Sequence, residues 1–92
     1  MLVVQRVDDF DEALALSNGV RQGLVAALFS DSTEHRDRFL AEARAGVLKL
    51  DAATADVGVE APFGGWKHSG LGPPEHGRAN VEFYTRAQAV YG

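Results

Sequence analysis

The chain has no cysteine, so these residues by themselves hold no disulfide, no thiolate metal ligand and no cysteine nucleophile. It also lacks any apolar stretch near the ~18 residues that a membrane-crossing helix needs. The opening Met1-Leu2-Val3-Val4 does not have the form of a secretory leader. Positive charge is scarce: nine Lys and Arg stand against 13 Asp and Glu, a formal charge of −4. No basic stripe is present to follow a phosphate backbone, so nucleic acid is not an expected partner, and neither is a membrane. Proline is confined to Pro62, Pro73 and Pro74. With 46% hydrophobic and 24% charged residues the composition is that of a folding chain, not a disordered one. Its 92 residues make one small domain or a piece of a larger one. The expectation is a cytoplasmic α/β piece.

What is present reads as alternating elements. Residues 2–7 are short, β-branched and bounded by acids, which predicts a strand. Asp8-Asp9 predicts a helix N-terminus, with Glu12 three residues after Asp9 in the spacing of a capping box. Phe10, Ala13, Leu14 and Ser17 share one helical face, and Asn18-Gly19 ends it. The unbroken apolar run of residues 23–29 suits a strand covered on both faces, as in a parallel sheet. Asp31-Ser32-Thr33-Glu34 repeats the capping pattern and opens a helix through Ala45, with Phe39, Leu40 and Ala43 facing inward and Gly46 just past its end. Residues 47–50 predict another strand. Strand and helix in alternation imply a largely parallel sheet. Residues 51–74 then show no helical period, and a loop of that length is usually functional. Residues 75–84 predict a short helix, and residues 85–91 a terminal strand.

The glycine-rich stretch from Pro62 to Gly72 invites a phosphate-loop reading, but its spacing refuses it. A phosphate loop needs Lys directly before Ser or Thr, and here His68 separates Lys67 from Ser69. No Gly-x-Gly-x-x-Gly lies between a strand and a helix either, since Pro73-Pro74 follows Gly70-Leu71-Gly72. The glycines read better as a tight loop with close backbone approach. His68, Glu75 and His76 match no zinc-ligand spacing, His35 is expected in solvent, and Ser69 lacks the Gly-x-Ser-x-Gly elbow of a hydrolase. Phe63 and Trp66 can line a substrate mouth, where their faces exclude water, or pin the loop to the sheet.

Taken in order, four stretches resemble the last fifth of an NAD(P)-dependent aldehyde dehydrogenase. They are Asp8-Asp9-Phe10-Asp11-Glu12-Ala13-Leu14-Ala15; Gly23-Leu24-x-Ala26-x-Leu28-Phe29-Ser30; Ala45-Gly46-Val47; and Pro62-Phe63-Gly64-Gly65-x-Lys67-x-Ser69-Gly70-x-Gly72. The run Trp66 to Gly77, with Phe83-Tyr84, is similar to the branch acting on ketoglutarate semialdehyde and related aldehydes. The resemblance implies a partial domain: residues 1–84 as the end of the family's catalytic domain, in parallel strand–helix units, and residues 85–92 as a C-terminal oligomerisation strand. It implies Phe63 beside the aldehyde and a functional loop drawn from Asp51, Gly64, Gly65, Trp66, Lys67, Ser69 and Gly70. Ala87, Ala89 and Tyr91 would form one face of the oligomerisation strand, in a dimer or tetramer. It implies NAD or NADP in the full-length parent, an aldehyde substrate, and a catalytic cysteine, glutamate and asparagine upstream. None of those three can be placed here, so this chain alone is expected to hold no cofactor and no metal and to be inactive. Leu50-Asp51 departs from the Val-Asn common in the family, and Gln22-Gly23 from Tyr-Gly. Two other readings remain open: a free-standing α/β ligand-binding module, and a subunit-interaction piece acting through its last strand.

Overall fold

The computed structural model describes residues 1–92 and contains seven short elements: α1 Phe10–Asn18, β1 Gln22–Gly23, β2 Val25–Leu28, α2 Thr33–Glu42, β3 Val47–Leu50, β4 Trp66–Lys67 and α3 Ala79–Tyr84. Both long helices start where their caps dictate. The Asp9 carboxylate accepts from the Glu12 amide at 2.8 Å, and Glu12 in turn accepts from the Asp8 amide at 2.9 Å. These are the reciprocal bonds that satisfy two otherwise unpaired donors of a first turn. At α2 the Ser32 hydroxyl accepts from the His35 amide at 3.2 Å. α2 stops at Glu42, three residues short of the expected Ala45, because Ala43 is already extended at φ −68° and ψ 135°. Gly46 therefore does not cap a helix. The two helix ends are tied by Asn18, whose amide donates to the Glu42 carbonyl at 2.9 Å and accepts from the Arg44 amide at 2.8 Å.

β2 and β3 pair in parallel, Val25 opposite Val47 through Leu28 opposite Leu50. β1 and β4 form a separate antiparallel pair, Gln22 opposite Lys67 and Gly23 opposite Trp66. Side chains alternate across a strand, so Ala26, Leu28, Leu48 and Leu50 share one face of the parallel pair. That face receives the core: Leu14 of α1 with Phe39 and Ala43, and Phe10 packed against them. Arg38 locks α2 to α1. It lies over the Phe10 ring at 5.5 Å and pairs with Asp11 at 2.5 Å and Glu42 at 3.1 Å. Asp11 first, then Glu42, holds the guanidinium pKa above its ordinary value. His35, expected in solvent, is half-buried and stacked on Phe10 at 4.4 Å.

Three expectations are corrected by a common cause. Residues 2–7 and 85–91 form no strand, and residues 2–6 and 85–91 are exposed throughout. A strand exists only against a partner, and neither segment has one. Leu40 does not face inward; it is 50% exposed, because it lies on the flank of α2 nearest the outer edge of β3, which nothing covers. Only five of 92 residues are buried, too few for a self-contained domain. The 7605 Å² of accessible surface compares with about 5,200 Å² for a folded monomer of this mass. The radius of gyration is 16.7 Å, where a compact domain of this length has about 12 Å. No helix is long and apolar enough to cross a membrane.

Candidate functional site

The long loop leaves β3 through Asp51, which has φ +52°. Aspartate tolerates that left-handed conformation better than most residues. Its side chain is occupied: Oδ1 accepts from the Ser30 amide at 3.1 Å, and Oδ2 pairs with Arg36 Nη1 at 3.0 Å. The ends of the two parallel strands are thereby tied together. The charge that distinguishes Leu50-Asp51 from Val-Asn is met by Arg36, a partner no local pattern announced.

The glycine stretch folds onto itself and onto the turn after α1. A β-carbon on Gly65 would strike the Ser69 backbone, one on Gly70 the Gly65 carbonyl, and one on Gly46 the Gly64 carbonyl. Glycine is required at these positions because backbone packs on backbone. Ser69 Oγ accepts from the Gly23 amide at 2.9 Å. Lys67, at φ +52°, turns its ammonium back to the end of α1 and donates to the carbonyls of Asn18 at 2.8 Å and Val20 at 2.9 Å. A cation there satisfies carbonyls that the helix leaves unpaired and suits the negative end of its dipole.

Phe63 sits at the neck of the loop. Its backbone exchanges two hydrogen bonds with Glu75, at 2.7 and 3.0 Å. Its half-buried ring stacks on His76 with centroids 5.6 Å apart. It lines an open pocket of about 160 Å³ together with Leu24, Ser69, Gly70, Leu71 and Phe83. Phe63, Gly64, Gly65, Ser69 and Gly70 therefore meet at one place. Trp66 lies on the other side of the loop, 54% exposed. Asp51 lines none of the cavities, and neither do Ala87, Ala89 and Tyr91, which are exposed. His68, Glu75 and His76 do not converge on a common point. Arg36 was not singled out by sequence, while Gly46 and His76, read there as a helix stop and a rejected metal ligand, are engaged here in other ways. Only the α-carbon contact of Gly46 with a residue 18 positions on could have marked it, and that contact is not local.

The same geometry tests whether these residues suit a dinucleotide, and they do not. A phosphate cradle needs glycine amides open to the ligand at a helix N-terminus. Here the space at Gly64, Gly65 and Gly70 is filled by the chain itself, the open Gly72 is followed by Pro73-Pro74 and not by a helix, and Lys67 is committed to α1. The β2–α2 turn, Phe29-Ser30-Asp31-Ser32, has no glycine and carries an acid.

The aldehyde dehydrogenase family profile matches residues 1–90. Over 92 residues the chain is 39% identical to an alpha-ketoglutarate semialdehyde dehydrogenase of Haloferax volcanii, covering 99% of this chain and 19% of that protein. It is 34% identical over 91 residues to the alpha-ketoglutaric semialdehyde dehydrogenase of Bacillus subtilis, again 99% of this chain and 19% of that one. Among solved structures, the NAD-dependent aldehyde dehydrogenase from Sinorhizobium meliloti superposes with a TM-score of 0.79 at 35% identity, over 87% of this chain and 16% of that one. The chain belongs to the aldehyde dehydrogenase family and has the fold of part of one of its domains. It spans about a fifth of the length of the curated relatives it matches.

Proposed function

We propose that residues 1–84 are the closing part of an aldehyde dehydrogenase catalytic domain and that residues 85–92, unpaired here, become an oligomerisation strand in the assembled enzyme. The whole enzyme converts an aldehyde, NAD(P)⁺ and water to a carboxylate, NAD(P)H and two protons. The match across residues 1–90 carries this reading. The names of the Haloferax and Bacillus relatives favour an aldehyde that also bears a carboxylate. NAD(P) is held by parts of the enzyme outside these residues, in keeping with the filled glycine loop.

Within that enzyme the role of this segment is to present one aromatic face at a fixed position. Phe63 is pinned through its backbone to Glu75 and through its ring to His76. The rest of its face borders the pocket, where it excludes water from a bound aldehyde. Pinning and lining are thus compatible in one residue. A rigid glycine loop suits the task, because a displacement of about 1 Å in a positioning group costs on the order of a hundredfold in rate.

The test is a chimera in which residues 1–92 replace the last 19% of the Bacillus relative. It should reduce NAD(P) with ketoglutarate semialdehyde, while the 92-residue chain alone should not. Phe63→Ala in the chimera should lower kcat/KM more for bulky than for small aldehydes. A folded chimera without activity, or activity indifferent to Phe63 across an aldehyde series, would overturn the assignment.

A further inference from the structure

Three residues other than glycine hold a left-handed backbone: Asp51, Lys67 and His76. The conformation is costly for a residue with a β-carbon, so each instance calls for something that holds it there. Two are accounted for by their side chains. Asp51 joins Ser30 and Arg36, and Lys67 reaches the carbonyls of Asn18 and Val20. His76, at φ +74°, has no such bond to explain it. Its Nδ1 is buried without a hydrogen-bond partner, a second cost in the same residue. Glycine would carry this backbone without strain, as Gly77 does beside it at φ +53°.

The surroundings over-determine where the His76 ring goes. Its amide donates to Asn80 Oδ1 at 2.7 Å, and its carbonyl accepts from the Ala79 amide at 3.0 Å. The Gly77 amide donates to the Val59 carbonyl at 3.0 Å, and a β-carbon on Gly77 would strike the Glu60 carbonyl. Held in this way, the ring lies on Phe63 with centroids 5.6 Å apart and 23° between the planes. His76 itself does not line the pocket that Phe63 shares with Leu24, Ser69 and Phe83. Backbone strain and an unpaired buried nitrogen persist only where the fold enforces them, and they gather at sites with a task. We propose that His76 is a positioning residue for the aldehyde pocket. Its ring, held through Asn80 and Gly77, sets the tilt and depth of Phe63 and thereby the bulk of aldehyde that the pocket admits. This rests on the function proposed above and deepens it, placing the choice of aldehyde partly in a residue outside the pocket. The flat ring carries the role, since Nδ1 has no partner.

The experiment uses the chimera in which residues 1–92 replace the last 19% of the Bacillus relative. It reads the ratio of kcat/KM for bulky over small members of an aldehyde series. His76→Asn tolerates the left-handed backbone and removes the ring. It should change that ratio about fivefold or more, with the thermal midpoint of the chimera within a few degrees of the parent's. His76→Phe keeps a flat ring over Phe63 and should retain the parental ratio. In a Phe63→Ala background, His76→Asn should have no further effect, the non-additivity of a residue that acts through another. A ratio unmoved by His76→Asn overturns the positioning role and leaves the proposed function standing. So does a shift that persists undiminished without the Phe63 ring, a phenylalanine variant as altered as the asparagine one, or an asparagine variant that fails to fold. A folded parent chimera that is inactive with every aldehyde overturns both.

Discussion

Replacing Asp51 separates three contributions that the sequence merges into one letter. Alanine at φ +52° is strained by about 1 kcal/mol relative to aspartate or asparagine. It also leaves the Ser30 amide without its acceptor. A hydrogen bond to a charged group contributes roughly 1.5–3 kcal/mol, reduced to about 1 here by solvent, since the carboxylate is 46% exposed. The ion pair with Arg36, itself 38% exposed, adds no more than about 0.5 kcal/mol. Asp51→Ala should therefore destabilise this junction by about 2 kcal/mol, or roughly thirtyfold in local protection at 1.4 kcal/mol per tenfold. Asp51→Asn keeps the backbone tolerance and an acceptor oxygen, so it should lose only about two- to fivefold. Amide hydrogen exchange at Ser30 is the assay. The Val47 amide, which donates to Leu24 at 3.0 Å away from Asp51, serves as the internal reference. Equal exchange ratios for the alanine and asparagine variants would refute the reasoning, as would an alanine variant indistinguishable from the parent.

Other expectations follow from single contacts. Gly70→Ala forces a β-carbon against the Gly65 carbonyl and should dismantle the loop, read as loss of protection at the Ser69 amide. Gly58→Ala, which meets nothing within 4 Å, should be neutral or stabilising by up to about 1 kcal/mol in the same assay. Lys67→Met removes both bonds to the end of α1 while keeping the stem. It should speed exchange at His68, whose amide donates to Arg21 at 3.1 Å, several-fold. In the free chain the amides of residues 86–91 should exchange at nearly unprotected rates, and they should become protected in an oligomer of the chimera.

Those features of the fold that depend on neighbours a few residues away could be read from the sequence. Asp9 with Glu12, and Ser32 with His35, are within one helical turn of each other, so the pattern of letters already contains the bond. Of the apolar run of residues 23–29 only Val25–Leu28 is the parallel strand, legible because its partner β3 is the next strand in the chain. The run is split at Leu24, Phe29 is exposed and one face alone is covered, against the expected single strand buried on both. Residues 2–7 and 85–91 have the composition of strands and are not strands, since pairing belongs to two segments and only one is here. Leu40 fails for the same reason: helical period says which residues share a face, while what covers that face is decided elsewhere.

The candidate site divides along the same line. The glycines of residues 64–72 could be read as a tight loop, but what they make room for could not. Gly46 accommodates the Gly64 carbonyl across 18 residues, and Lys67 reaches back 49 to Asn18. Phe63 illustrates the limit most sharply. From sequence, lining a substrate mouth and pinning a loop were alternatives; in the structure the ring stacks on His76 and the residue also lines the pocket. A residue that is half-buried by its own chain is anchored well enough to leave its other half for a ligand.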